Sequence, residues 1–170
     1  KQLDQISTFQ NPQPVLAVFE IPKNKKQFDD NFVLFLEDIR DPGNLGTIIR
    51  SAEWFGLNEI YCSETCADAY NTKVIQASMG SSSRIQVNYL SFEDLQKQKA
   101  NFTPVLADMN GTALKDYKWK VKNILVIGNE ANGVSNELRN KIENKITIPR
   151  HGKAESLNAS ISAAIILSHI

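Results

Sequence analysis

Three short segments of this chain combine polar side chains with glycine or proline at the ends of apolar runs, where a fold presents its chemistry. The first is Asp41-Pro42-Gly43-Asn44-Leu45-Gly46, with Arg50 six residues after Asn44. Pro42 suits the end of a strand and Asn44 suits the cap of a following helix. On a helical wheel Arg50 falls nearly opposite Leu45, Ile48, Ala52 and Phe55, so it points away from the packed face. Taken alone, it reads as a solvated surface arginine. In the second segment Leu125, Val126 and Ile127 stop at Gly128 and lead through Asn129 and Glu130 to Gly133. Glycine at both positions permits close backbone approach, either to a bound small molecule or within a tight strand-to-helix connection that leaves Glu130 an ordinary solvated carboxylate. The third runs from Ile146 through Ile148, Pro149, Arg150, His151, Gly152 and Lys153 to Ser156, Leu157 and Asn158. It reads as a strand, a polar loop and a helix that starts near Ser156 as its N-cap.

The elements that must position these residues are legible as alternating patterns. β-Branched and apolar runs at 15–20, 32–39, 59–62, 104–108, 123–127 and 145–148 predict strands. Helical periodicity is clearest in the stripe Leu45, Ile48, Ile49, Ala52 and Phe55, closed by Gly56, and residues 71–81, 91–99 and 157–170 are further helices. The last is apolar on nearly every side, which buries it in a dimer interface or in a central core. Alternation of this kind predicts an α/β domain, a largely parallel sheet flanked by helices, with ligand sites at the carboxyl ends of the strands.

The chain has 170 residues, 42% of them hydrophobic, enough for one compact core. Nineteen basic and nineteen acidic side chains cancel, so any nucleic-acid contact is local, with Arg40, Arg84, Arg150, His151 and Lys153 as candidates. Cys62 and Cys66 with His151 and His169 fall short of a zinc spacing, and the cysteines read as reduced structural thiols. No apolar run reaches membrane-span length and no signal peptide is visible, so a cytoplasmic location is expected. The chain opens without methionine and closes at Ile170 inside an apolar pattern. It is read as an excised domain over 14–170, preceded by a linker remnant at 1–13 from a missing N-terminal substrate-binding domain; 11–14 and 22–26 are the linker-like stretches.

In this order and spacing the three segments resemble the signature motifs of the SpoU (TrmH-like) RNA 2′-O-ribose methyltransferases of the SPOUT superfamily. The carriers are Asn44 with Arg50, Gly128-Asn129-Glu130 with Gly133, and Ile148-Pro149 with Ser156-Leu157-Asn158. Asp108-Met109-Asn110-Gly111-Thr112 is similar as well. The resemblance runs from about Pro14 to the end, and departs from the family at Val134, where leucine is usual, and at Ala159, where valine is usual. It implies a C-terminal deep trefoil knot, against the general rule that chains do not thread loops. It further implies transfer of a methyl group from S-adenosylmethionine to a ribose of tRNA or rRNA, without a metal. Asn44, Arg50, Glu130, Ser156 and Asn158 are then the catalytic candidates. Met109, Asn110, Gly111, Gly128, Asn129, Ile148 and Leu157 are the candidates for cofactor contact, and a homodimer through the C-terminal helix is expected. One rival reading is a non-catalytic RNA-binding module on the same fold, which the intact polar set opposes. Another is a flavodoxin-like nucleotide or flavin domain. It would need a loop of small residues after the first strand, and residues 15–26 offer none. No dinucleotide fingerprint follows the first strand and no P-loop occurs anywhere.

Overall fold

Runs of β-branched and aliphatic residues pair only when both faces of each strand can be covered, and here helices cover both. In the computed structural model, which describes residues 5, 7, 15–21 and 28–170, the strands are β1 (Phe32–Leu36), β2 (Glu59–Cys62), β3 (Gln86–Tyr89), β4 (Thr103–Ala113), β5 (Asn123–Ile127) and β6 (Lys145–Thr147). The helices are α1 (Pro42–Trp54), α2 (Thr72–Ser78), α3 (Phe92–Gln98), α4 (Asn136–Lys141) and α5 (Ala159–Leu167). The sheet order is β3-β2-β1-β5-β4-β6, and every neighbouring pair is parallel. The α/β architecture expected from the alternation is therefore present.

Successive side chains of the central strands serve opposite cores. Val33, Phe35, Ile124 and Val126 pack with Phe92 and Leu95 of α3 and Leu138 of α4. Leu34, Leu36, Leu125 and Ile127 pack with Leu45, Ile48 and Ile49 of α1, Val74 of α2, and Ala163 and Ile166 of α5. The approach of α1 to α2 depends on Gly46, where a Cβ would lie 2.6 Å from the Ala77 Cβ and from the Val74 carbonyl oxygen.

Several expected elements differ. Residues 15–20 form no strand, and their apolar side chains, Phe19 among them, are exposed; a strand needs a ladder, and no sheet edge meets them. β3 was not anticipated, because Gln86 and Asn88 break the apolar pattern of an edge strand. β1 stops at Leu36, short of Ile39, because the chain turns at Asp38. β4 continues five residues past Asp108 through an irregularity between Ala107 and Thr112 against β6. The last helix covers only Ala159–Leu167, and Ile161 on it is 51% exposed, so it is not buried on every side. The linker expectations at 11–14 and 22–26, and most of 1–13, lie outside the described residues. Among the described residues no helix is long and apolar enough to cross a membrane.

Candidate active site

The site begins where β1 ends. Asp38 takes a φ of 61°, in the left-handed region that a non-glycine residue adopts only when held there. Three contacts hold the turn. The Asp38 N–H donates to Ser63 Oγ at 3.0 Å, its carbonyl accepts from the Asn129 amide at 3.0 Å, and the Ile39 N–H donates to Cys66 Sγ at 3.3 Å. Cys62 and Ser63 draw the Cys66 thiol down to about 7 by hydrogen bonding, against its burial.

The turn feeds α1, and its cap is Asp41, not Asn44 as expected. Asp41 Oδ1 accepts the Asn44 N–H at 2.7 Å and Pro42 occupies the first helical turn. An aspartate directly before a proline at N1 was the available signal, and it was missed. Relieved of capping, the Asn44 side chain reaches outward. Its amide nitrogen donates to Glu130 Oε1, and its oxygen accepts from the Asn158 amide at 2.8 Å. Asn158 in turn caps α5 in place of the expected Ser156, accepting from Ser160 N at 2.9 Å and Ile161 N at 3.3 Å. Glu130 Oε1 also lies 3.4 Å from the Ala159 N–H. One carboxylate and two amides, all half-buried, thus join the start of α1, the loop after β5 and the start of α5. Oε2 of Glu130 has no hydrogen-bond partner among the described residues, so one carboxylate oxygen remains an open acceptor.

The other two catalytic candidates stand apart from this network. Arg50 is exposed on the outer face of α1, and Ser156 is exposed in the loop before α5. Neither side chain makes a polar contact with a described residue.

The cofactor candidates are carried by three neighbouring strands, β5, β4 and β6. Because β5, β4 and β6 are adjacent and parallel, Gly128-Asn129 after β5, Met109-Asn110-Gly111 in the irregular part of β4, and Ile148 after β6 all lie toward the carboxyl-terminal ends of these strands. Leu157 closes the loop from β6 to α5. Met109 and Leu157 are exposed and Ile148 is half-buried, while the backbone N–H groups of 151–157 bond to no described residue. Apolar surface beside open backbone donors suits a ligand with a flat heteroaromatic ring and a polar rim, as in an adenosine group.

Of the two readings left open for the glycines of the loop after β5, the packing follows the tight connection. A Cβ on Gly128 would lie 2.3–2.5 Å from the backbone of Gly133 and Val134, and one on Gly111 2.6–2.7 Å from Lys145 and Ile146. Their close approach is to the protein's own backbone. Across the loop, Asn129 and Gly133 exchange both backbone hydrogen bonds, and the Asn129 side chain accepts the Ala131 N–H.

Of the basic candidates, Arg150, His151 and Lys153 lie in the exposed loop after β6 and Arg40 after β1, where it pairs with Asp38 at 2.7 Å. Arg84 does not join them: it precedes β3, at the opposite edge of the sheet, and is bound by Glu53. A cavity of about 480 Å³ between α3 and α4 is lined by Glu37, Glu64, Glu93, Asp94 and Glu137 and includes none of the candidate residues; its charge is wrong for RNA. Among the described residues no group of three or more His, Cys, Asp or Glu could hold a metal ion.

The sequence profile of the SpoU rRNA Methylase family matches residues 31–168, spanning all three motifs and every element from β1 to α5. The chain belongs to the SpoU family. It is 33% identical over 168 residues to the 23S rRNA (guanosine(2553)-2'-O)-methyltransferase RlmP of Bacillus subtilis, covering 97% of this chain and 67% of that protein. A TrmH-family protein of Porphyromonas gingivalis superposes with a TM-score of 0.87 at 34% identity, covering 98% of this chain and 69% of the other. An AdoMet-bound rRNA methyltransferase from Sinorhizobium meliloti, 31% identical, gives a TM-score of 0.75 over 81% of this chain and 54% of its own. The chain thus spans between about half and two thirds of these SpoU relatives.

Proposed function

We propose that this protein transfers a methyl group from S-adenosylmethionine to the 2′-hydroxyl of a ribose in ribosomal or transfer RNA, with 14–170 as the catalytic domain. The observation that carries this reading is the convergence of the three motifs on the Asn44, Glu130 and Asn158 network, beside a loop cluster suited to adenosine. The names of the ribosomal RNA methyltransferase relatives and the AdoMet-bound relative support it.

S-adenosylmethionine would be held by the loops carrying Met109, Asn110, Gly111, Gly128, Asn129, Ile148 and Leu157, and when bound it supplies an electrophilic methyl group. The protein's part is alignment and charge stabilisation. A guanidinium is always protonated, so Arg50 is no base. It holds an RNA phosphate and stabilises the negative charge that develops on the attacking oxygen. Without a side-chain partner among the described residues, it is oriented by the RNA it binds. Glu130 Oε2 accepts from the ribose, Asn44 and Asn158 fix that carboxylate, and the hydroxyl proton leaves through Ser156 or water.

Family membership also supports a C-terminal trefoil knot and a homodimer. Exposed Ile161 in the first turn of α5 favours that helix as the dimer contact. A cytoplasmic location accords with an RNA substrate. The test is calorimetric titration with S-adenosylhomocysteine together with methyl transfer by Arg50→Ala. Binding, and a rate loss of roughly a hundredfold or more with unchanged melting, are expected. No binding would sink the assignment, and undiminished transfer would remove Arg50 from the mechanism.

A further inference from the structure

Arg139, on α4, belongs to none of the motifs, yet its guanidinium lies between two of the loops assigned to the cofactor. Its Nε is 3.3 Å from Oδ2 of Asp108, a carboxylate only 6% exposed at the start of the irregular part of β4. Its Nη2 is 2.8 Å from where a Cβ on Gly133 would stand, so the planar group lies against that residue of the loop after β5. The other oxygen of Asp108 accepts the Asn110 N–H at 2.9 Å, tying the carboxylate to the loop it introduces.

A carboxylate this deeply buried is retained only against a compensating charge. Among the described residues Arg139 is the one cation within ion-pair distance of it. The buried Nε lacks hydrogen-bond alignment with any partner among the described residues. The pair therefore acts through charge and contact, in a place where an unaligned buried donor is costly and rarely kept without a use. Its effect is to fix the loop at 108–111 relative to the loop at 128–133, on adjacent strands β4 and β5.

We propose that the Asp108–Arg139 pair is a positioning device for the cofactor. It sets the gap between the two loops that flank the adenosine without itself touching the ligand. The inference rests on the methyltransferase reading above. In that reading the pair governs affinity for the cofactor and leaves the transfer step, which depends on Arg50 and the Asn44 network, nearly unchanged.

The test uses the full chain and its variants Arg139→Gln, Arg139→Lys, Asp108→Asn and the double variant Asp108→Asn/Arg139→Gln. Each is titrated calorimetrically with S-adenosylhomocysteine and with 5′-methylthioadenosine, which lacks the amino-acid portion. Both single neutral variants are expected to weaken both ligands on the order of tenfold, and the double variant no more than the worse single one, since the two side chains act as one unit. Arg139→Lys restores most of the affinity. In transfer assays KM for S-adenosylmethionine rises while kcat at saturation holds.

Unchanged affinity in folded variants overturns the proposal, as does additivity of the two losses. A loss confined to S-adenosylhomocysteine overturns it as well, because it would place Arg139 on the amino-acid carboxylate. If Arg139→Gln does not fold, the Arg139→Lys and Asp108→Asn variants decide. Failure of the unmodified protein to bind either ligand defeats the methyltransferase reading and this inference together, whereas normal binding with unaffected variants defeats this inference alone.

Discussion

Asn158 performs two tasks with one side chain. Its oxygen caps α5 while its nitrogen holds Asn44, so stability and the site draw on the same residue. Asn158→Ala is expected to lower the unfolding free energy in urea by about 1–2 kcal/mol, the usual cost of a lost cap, and to abolish methyl transfer. Asn158→Asp separates the tasks, since a carboxylate still caps but cannot donate to Asn44 Oδ1. Its urea midpoint should stay close to that of the parent while transfer is lost. The residue types of this network were legible in the sequence, whereas their division of labour was not. Asp41 and Asn44 are both competent caps three positions apart, as are Ser156 and Asn158 two apart. The choice is made by partners far along the chain: Glu130, 86 residues from Asn44, engages its amide and leaves the cap to Asp41.

Glycine and charge show the same dependence at the level of elements. Gly128→Ala forces a methyl into the backbone of Gly133 and Val134. A destabilisation of about 2 kcal/mol or more is expected in chemical denaturation. Gly152→Ala, whose added carbon meets nothing, should stay within about 0.5 kcal/mol of the parent. Both glycines sit in motif loops, and sequence alone does not show which of them is packed against backbone. At the far edge of the sheet, Arg84 and Ser81 hold the Glu53 carboxyl down to about 2 from an ordinary 4.5. A carboxylate whose folded pKa is depressed stabilises the fold above its unfolded value and loses that contribution as pH falls toward the folded one. The melting temperature of Glu53→Gln should therefore lie below that of the parent at pH 7, and the two should converge between about pH 4.5 and 2. The pair is exposed, so the gap will be modest. The central strands were legible because parallel pairing buries both faces and leaves a continuous apolar run, as in Asn123–Ile127. β3 escaped because it is an edge strand with two amide side chains. Residues 15–20 misled because β-propensity records fitness for a sheet and does not supply the neighbouring strand.

For the whole molecule, the exposed apolar side chain of Ile161 on an otherwise packed α5 is the feature that bears on assembly. In the proposed homodimer this face is covered. Ile161→Glu would place a charge in that contact, and sedimentation velocity should report a dimer for the parent and a monomer for the variant; a variant still dimeric at the same concentration would move the interface elsewhere. The sheet order carries a consequence for how activity is acquired. β1 pairs with β5 across most of the domain, and Asn44 meets partners 86 and 114 residues away. Contacts so distant in sequence close slowly, after the local helices have formed. A refolding chain will regain helical signal early and the ability to bind its cofactor late, so affinity for the adenosine ligand marks the completed topology and is missing from compact intermediates that otherwise look native.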